Sequence, residues 1–183
     1  MNFWQNSLVR LRGVEPEDAE TFFRWNLDSD MGRGLEFLWP PVSLALVRQQ
    51  LAAKSLRKLE RDEFDWLIED AAGAPVGAIS THHCAPHTGT FSYGVSVAAE
   101  HQRRGYATAA VLLVVRYYFE ELRYQKVTVG VLADNAASVA LHEKLGFTRE
   151  GTLRRMGFTR GAFRDLHYYG LTREEWYASP LRP

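Results

Sequence analysis

The sequence is poor in cysteine and lysine, and it carries no net charge. Its single cysteine, Cys84, cannot form a disulfide within the chain, a bond typical of secreted proteins. The 22 basic and 22 acidic residues cancel, so no overall field favours binding to nucleic acid or to an anionic membrane. Eighteen of the basic residues are arginines, a bias that genome composition explains at least as well as phosphate binding does.

Long hydrophobic runs are also missing. The nearest candidate, residues 107–115, is far shorter than the about 20 residues that span a bilayer. The first residues lack the charged-then-apolar pattern of a secretory signal, so a cytoplasmic protein without membrane insertion is expected. With 183 residues, 46% of them hydrophobic, the chain can bury a large core and is expected to form one domain over residues 1–183.

The N-terminal third predicts one strand and two helices. Apolar and basic residues alternate over 8–11, as in a strand, and a proline with acidic neighbours then predicts a helix from about residue 16 to Leu27. Residues 28–41 combine glycines, a proline and aromatics, which predicts a binding loop. Ser43 is expected to cap a second helix that ends near Leu59.

The middle of the chain predicts a β-hairpin and a further strand. Strands are expected over residues 64–69, 76–81 and 90–97, with a turn at 82–89 before the last of them. This turn contains three histidines and Cys84. Pro86 argues against a helix that would place His83 and His87 on one face, so a metal site is not expected there.

The C-terminal half predicts a buried helix, a short helix and three strands. Residues 104–122 are apolar nearly all round, as in a helix packed against a sheet. Strands are expected over residues 126–132, 148–158 and 162–171, with a short helix between the first two.

Residues 101–108, with the sequence His-Gln-Arg-Arg-Gly-Tyr-Ala-Thr, are the most informative segment. They follow a strand and open the long helix, whose first N–H groups lack intrahelical partners and lie at the positive end of the helix dipole. Gly105 lets a ligand approach the backbone, and Arg103 and Arg104 add positive charge. The segment therefore predicts a cradle for a diphosphate, with a solvated loop as the alternative.

A second motif follows about thirty residues downstream, where Asn135 and Ser138 open a helix that ends in Glu-Lys-Leu-Gly-Phe at residues 143–147. With both motifs in this order, the chain resembles the GNAT acetyltransferases, and among them the RimJ- and RimL-type N-terminal acetyltransferases of ribosomal proteins. Gln-Arg-Arg-Gly-Tyr-Ala is similar to that family's Q/R-x-x-G-x-G/A signature for acetyl-CoA. The second motif is similar to the family's other signature.

The resemblance implies an α/β fold of the α+β kind, with a central, mostly antiparallel mixed sheet and helices on both faces. It also implies acetyl-CoA as cosubstrate, no metal, and direct transfer of the acetyl group to a primary amine. By this resemblance, acetyl-CoA would be bound by the strand at 90–97, which separates from its neighbour. It would also be bound by the turn before the long helix, here called the anion turn, and by the second motif. The residues so implied are Val95, Ser96, Val97, Gln102, Arg103, Arg104, Gly105, Tyr106, Ala107, Thr108, Asn135 and Ser138.

Two residues of the second motif are catalytic candidates by the same resemblance. Ser138 would stand near the sulfur and donate a hydrogen bond to the thiolate, although Asn135 and Ser138 are also residues favoured as helix caps. His142 occupies the position of a tyrosine that acts as general acid in many family members. A histidine can donate a proton near neutral pH, but a surface position on an amphipathic helix is the favoured alternative.

The sequence leaves several classes of acceptor amine possible. Neutralising a peptide α-amine at pH 7 costs about 1.1 kcal/mol, against about 4.6 kcal/mol for a lysine-like amine. The strand at 90–97 offers Ser92 and Tyr93 where lysine-acting relatives carry a glutamate, which favours a low-pKa amine such as a protein N-terminus. An aminoglycoside or polyamine acceptor is the first alternative, and a non-catalytic acyl-CoA-binding sensor is the second.

The loop at 28–41 and the helix after it are expected to select the acceptor. Aromatic candidates for the pocket are Phe37, Trp39, Trp66 and Tyr93. Carboxylates that would form an acidic pocket for a polycation are Asp28, Asp30, Glu36, Asp65 and Glu69, and the candidate bases are Glu36, Glu69, His82 and His83. A homodimer through the apolar C-terminal segment is a further open alternative.

Overall fold

A computed structural model describes residues 2–34, 38–58 and 62–182. Seven strands of this part of the chain form one sheet in the order β1-β2-β3-β4-β5-β7-β6. The strands are β1 (Val9–Gly13), β2 (Asp65–Asp70), β3 (Pro75–Ala85), β4 (Thr90–Val97), β5 (Lys126–Leu132), β6 (Thr148–Thr159) and β7 (Ala162–Thr172). The β4–β5 pair is parallel and the other five pairs are antiparallel, which confirms the predicted mixed sheet.

Six α-helices accompany the sheet in the described residues. They are α1 (Ala19–Asn26), α2 (Ser29–Gly34), α3 (Leu44–Ser55), α4 (Tyr106–Glu120), α5 (Ala136–Lys144) and α6 (Arg173–Ala178). None of them is both long and apolar enough to cross a membrane.

The helices cover both faces of the sheet, as expected. Side chains alternate along a strand, so neighbouring residues face opposite sides. Trp66, Ile79 and Tyr93 pack with α4 in the larger core. Their neighbours Asp65, Ala78, Ser80 and Gly94 line a cavity bordered by α1, α2 and α3, which Trp66 and Ile79 also border. The smaller cluster of Val14, Ala19, Val47 and Leu51 joins α1 to α3 on that second face.

Helix α4 is the central packing element, because nine of its 15 residues are buried. Its buried residues include large and small apolar side chains on most sides of the helix, as the sequence indicated. It contacts β1, β2, β3 and β4. This packing fixes where its first turn lies relative to the end of β4.

The predicted loop at residues 28–41 is partly wrong, because it contains α2. The Asp28 carboxylate accepts hydrogen bonds from the backbone N–H groups of Asp30 and Met31, at 2.9 and 3.1 Å, and so starts the helix. Glu36 and Phe37 lie outside the described residues. Helix α3 begins after Ser43 as predicted, but it ends at Ser55 rather than near Leu59, which also lies outside them.

The predicted turn at residues 82–89 is too long, because β3 continues to Ala85. His82 and Ala85 still pair with β4, and the register shifts between them at a bulge where His83 has a φ of 51°. The turn itself is shorter and is closed by the Gly89 N–H, which donates to the Ala85 carbonyl at 2.8 Å. His82, His83 and Cys84 therefore belong to a strand.

Gly77 generates a prediction about how closely β3 and β4 must approach. A methyl group at Gly77 would overlap the backbone oxygen of Ser96, whereas a methyl group at Gly151 in β6 would have no neighbour within 4 Å. We expect Gly77→Ala to lower the free energy of unfolding by about 1–3 kcal/mol, the usual cost of overpacking. Gly151→Ala is the matched control. Urea unfolding measures both, and equal effects of the two substitutions would contradict this close approach.

Candidate functional site

The anion turn, residues 102–105, joins a short 3₁₀ turn to α4. Gly105 is the N-cap of α4 and has a φ of 86°, a left-handed conformation that glycine adopts without a Cβ penalty. Arg103 is also left-handed, with a φ of 60°. Left-handed residues so close together are typical of backbone concavities in which successive N–H groups converge on an anion.

The backbone N–H groups of residues 103–108 are not hydrogen-bonded within the described part of the chain. Across the described residues, none of these six N–H groups has an acceptor within the protein. The first helical bond of α4 is donated by Ala109 to the Gly105 carbonyl, at 3.0 Å. Six successive donors thus lie at the positive end of a 15-residue helix, with no acceptor among the described residues.

Side chains around the turn hold it in place and add charge. The side-chain amide of Gln102 donates to the Val97 carbonyl at 3.2 Å, and the Arg104 guanidinium donates to the Glu100 carbonyl at 3.1 Å. Tyr106 is 9% exposed and points into the core. Of the residues implied for acetyl-CoA, Tyr106 can therefore offer only its backbone N–H.

The strands β4 and β5 separate next to this turn. They pair only at Thr90 with Lys126 and at Phe91 with Val127, within the described residues. One residue further along, the hydroxyls of Ser92 and Thr128 are 3.2 Å apart. The remainder of β4 and β5 leaves a gap that opens toward the start of α4.

The backbone groups that border the gap belong to alternate residues of β4. The Ala98 N–H donates to Val76 on the β3 side, at 2.9 Å. Since groups alternate along an antiparallel strand, the backbone of Ser96 also faces β3, whereas Val95 and Val97 face the gap. The structure therefore brings Val95 and Val97 to the expected place, and Ser96 contributes its side chain to the cavity on the other face.

Asn135 acts as the N-cap of α5. Its side-chain oxygen accepts from the Ser138 N–H at 3.1 Å, and its side-chain nitrogen donates to the Gly34 carbonyl at 3.4 Å. The capping alternative for Asn135 is thus present in the structure. The Ser138 hydroxyl lies 3.4 Å from Nδ1 of His142.

His142 is buried, so the expected surface position is wrong. It is 3% exposed, and its ring lies between Tyr93 and Tyr169, with centroid distances of 5.8 and 5.9 Å. Helix α5 packs against the larger core at this point, a tertiary contact that the pattern of α5 does not reveal.

The protonation state of His142 follows from its surroundings. Burial lowers its pKa, an effect that the hydrogen bond to Ser138 only partly opposes. Nδ1 lies 2.7 Å from the Ser138 carbonyl oxygen, which can only accept, so Nδ1 carries the hydrogen and Nε2 is the unprotonated nitrogen. In this form His142 can accept a hydrogen bond at Nε2 but has no proton to donate there.

Tyr93 is the polar partner that sequence reasoning placed wrongly, because β4 turns it toward α4 and α5 rather than into the cavity. Its hydroxyl and Nε2 of His142 are both buried and have no hydrogen-bond partner among the described residues. Burial raises the pKa of the Tyr93 phenol, so it stays protonated. The rings of Tyr93 and His142 therefore stack on the α4 side of β4, where the Tyr93 hydroxyl is a possible donor and Nε2 of His142 a possible acceptor.

A cavity of about 570 Å³ lies on the other face and reaches β4 at Gly94 and Ser96. Aromatic and aliphatic residues dominate its wall, and Trp66 borders it while its ring packs against Trp4 and Phe64. The larger apolar side chains that line it are Phe22, Trp25, Met31, Leu38 and Trp39.

The candidate carboxylates do not form an acidic pocket in the described residues. Asp65 lines the cavity but pairs with Lys54 at 2.7 Å and with Arg57 at 3.1 Å. Glu69 pairs with Arg10 and Arg12 of β1. Although burial by itself raises the pKa of Glu69, hydrogen bonds to these arginines bring it below its ordinary value, so Glu69 is a poor base.

The remaining described carboxylates of the predicted acidic pocket, Asp28 and Asp30, and the base candidates His82 and His83 do not line the cavity. Asp30 pairs with Arg33 at 3.0 Å and with Arg160 at 3.2 Å, and Asp28 caps α2. His82 and His83 lie near the turn between β3 and β4, and neither lines the cavity.

Known proteins are similar to this chain in sequence and in fold. Residues 9–148 match the family model described as an acetyltransferase (GNAT) domain. YokL of Bacillus subtilis, an uncharacterized prophage-derived N-acetyltransferase, is 37% identical over 176 residues, which cover 96% of each chain. YdaF of the same organism, provisionally named a ribosomal N-acetyltransferase, is 30% identical over 93% of this chain and 94% of its own.

A polyamine acetyltransferase is similar to this chain in both sequence and structure. The spermidine N(1)-acetyltransferase of Vibrio cholerae is 26% identical over 88% of this chain and 91% of its own. A crystal structure of the spermidine N-acetyltransferase from that organism, with CoA and spermine, has a TM-score of 0.83 at 22% identity and covers 95% of this chain and all of that one. This structural likeness establishes the shared fold.

The environment of His142 predicts its titration. Because burial lowers its pKa in the folded state, the unfolded chain binds this proton more readily, so the contribution of His142 to stability is full above about pH 6.5 and falls as the pH drops toward its folded-state pKa. Proton NMR titration should give His142 a midpoint below 6.5, with His142→Phe to assign the resonance. A midpoint at or above 6.5 would contradict a buried neutral ring.

Proposed function

Because the chain belongs to the acetyltransferase (GNAT) family, we propose that it uses acetyl-CoA to acetylate a primary amine by direct transfer in a ternary complex. The observation that carries this proposal is the row of open amides at residues 103–108 beside the gap between β4 and β5. The N-acetyltransferase activity follows from the family and from relatives named for it. The cosubstrate, the residue roles and the acceptor are the proposed part.

The residues around the turn fit the cosubstrate. The amides of residues 103–108 would hold the diphosphate, with Arg103 and Arg104 at the rim. The backbone groups of Val95 and Val97 would bind the amide-bearing arm and the thioester carbonyl in the gap. A single well-placed backbone N–H contributes a few kcal/mol to stabilising an oxyanion. When bound, acetyl-CoA supplies an activated carbonyl carbon for the amine to attack.

Proton handling falls to groups on the two faces of β4. On the α4 side, burial keeps the Tyr93 phenol protonated, but its oxygen and Nε2 of His142 have no hydrogen-bond partner among the described residues and are therefore not bonded to each other. We assign the Ser138 hydroxyl to stabilise the leaving thiolate, and His142, whose Nδ1 lies 3.4 Å from that hydroxyl, to position it. Asn135 keeps its proposed contact to the cosubstrate in addition to its role as helix cap.

The acceptor enters from the cavity on the opposite face. No free carboxylate lines the cavity among the described residues, so no strong base stands there to neutralise an amine of high pKa. A peptide α-amine needs only about 1.1 kcal/mol for neutralisation at pH 7. These points support an N-terminal acetyltransferase of RimJ or RimL type, in line with the name of YdaF.

A polyamine acceptor is the second candidate. The similarity to the spermidine acetyltransferase of Vibrio cholerae favours it. The pairing of Asp65 with Lys54 and Arg57 argues against it, since a polycation binds best to unpaired carboxylates. An aminoglycoside also carries several ammonium groups and would equally need unpaired carboxylates. The cytoplasmic location and the homodimer stay predictions.

The direct test of the proposal is release of free thiol from acetyl-CoA in the presence of a panel of amines. We expect turnover with at least one peptide α-amine at pH 7 and no acetylated form of Cys84 by mass spectrometry, because transfer is direct. Binding of CoA without turnover on any amine would instead favour the acyl-CoA-binding sensor.

Gly105→Glu tests the turn itself. It places a carboxylate at the positive end of α4, where a diphosphate would meet a like charge, so CoA affinity should fall by roughly two orders of magnitude. Isothermal titration calorimetry measures the affinity. Gly73→Glu is the control for the backbone strain, because Gly73 has a similar φ of 83° but lies in the turn between β2 and β3. A Cβ at Gly105 would also meet the Leu8 side chain at 3.3 Å, so unfolding of both variants is measured alongside. Equal CoA affinity in the two variants would remove the turn from the site.

A further inference from the structure

A second depression extends the cavity toward the β6–β7 hairpin. It has a volume of about 300 Å³ and shares Leu38 and Trp39 with the cavity, so the two adjoin at these residues. Its far end is formed by Phe158 and Arg160, near the tip of the hairpin, and by Arg33 of α2. We call the cavity and this depression together the acceptor groove.

Large apolar side chains occur along the whole groove, although Arg33, Thr159 and Arg160 also line its far end. At the cavity end, the rings of Phe22 and Trp25 meet edge to face with centroids 5.3 Å apart. At the junction and the far end, Leu38, Trp39 and Phe158 are 53%, 74% and 61% exposed. Large exposed apolar side chains that continue from a cavity mark a binding surface for an extended apolar ligand.

The charges of the groove oppose a polycation. Arg33 and Arg160 both pair with the single carboxylate of Asp30, at 3.0 and 3.2 Å, which leaves one positive charge in excess at the far end. Asp65, the carboxylate at the cavity end, is itself shared by two cations. The described lining therefore repels a chain of ammonium groups and accepts a ligand with a single amine.

Resting on the proposed acetyl transfer, we infer that the acceptor is the amino terminus of a peptide whose first side chain is bulky and apolar. The first residue fills the cavity, with its α-amine beside Gly94 and Ser96 of β4. The following residues run over Leu38 and Trp39 to Phe158. A small arylalkylamine would fill the cavity alone, and the continuation of the groove to the hairpin would then contact nothing.

The experiment compares four acceptors by thiol release from acetyl-CoA. They are phenylalanine amide, the tetrapeptide amides Phe-Ala-Ala-Ala and Ser-Ala-Ala-Ala, and spermidine. We expect kcat/KM for the Phe tetrapeptide to exceed that for the Ser tetrapeptide by about 10-fold or more, which is the discrimination that an apolar pocket gives. It should also exceed the values for phenylalanine amide and spermidine.

Phe158→Ser tests the far end of the groove, with Met156→Ser as the matched control. Both side chains are exposed on β6, at 61% and 59%, but Met156 does not line the depression. Phe158→Ser should raise KM for the Phe tetrapeptide about 10-fold, which corresponds to about 1.4 kcal/mol. It should leave KM for phenylalanine amide and the affinity for CoA unchanged, and Met156→Ser should change none of the three.

The outcomes separate this inference from the function on which it rests. Preferred turnover of spermidine, of the Ser tetrapeptide or of phenylalanine amide would overturn the inference and leave the N-acetyltransferase function intact. The same holds if Phe158→Ser and Met156→Ser behave alike. CoA binding with no turnover on any amine would overturn the proposed function and this inference with it.

Discussion

An α-helix cannot satisfy the N–H groups of its own first turn, and the rest of this site depends on that constraint. In α4 the constraint is extended to six successive amides, because the left-handed Gly105 and the turn before it add donors that also lack acceptors in the described chain. The burial of α4 against four strands holds these donors at one place, beside the end of β4. An anion bound there would be held by backbone N–H groups, which would leave the surrounding side chains to set charge and selectivity.

Strand β4 borders both the gap toward β5 and the cavity on the other face, so the site has two sides. Its early loss of pairing with β5 leaves backbone groups of Val95 and Val97 at the gap. Its alternation sends Tyr93 toward α4 and α5 and places Gly94 and Ser96 against the cavity. In the proposed reaction, a thioester in the gap would be approached by the acceptor amine from the cavity side, past Gly94 and Ser96.

Local signals predicted much of this architecture. The boundaries of β4 and β5, the buried α4 and the anion turn all follow from apolar patterning and from residues with strong positional preferences. Helix α2 was missed because glycines at 32 and 34 obscured the cap that Asp28 provides. The length of β3 was missed because a bulge at His83 lets the strand continue through polar residues.

Long-range contacts account for what the sequence could not predict. The burial of His142 depends on rings from β4 and β7, and its tautomer depends on the Ser138 carbonyl. Two of the carboxylates that suggested an acidic pocket pair with arginines far away in sequence, Glu69 with Arg12 and Asp30 with Arg160. Only the fold shows that the space beside β4 is apolar.

The most direct test of the central claim is a titration of the ¹⁵N-labelled protein with CoA, followed through the backbone amide resonances. If the start of α4 binds the diphosphate, the amides of residues 103–108 should show the largest downfield shifts. Adenosine 3′,5′-bisphosphate carries two separate phosphates in place of the linked diphosphate, so it should fail to reproduce these shifts. CoA binding that leaves these six amides unshifted would contradict the account.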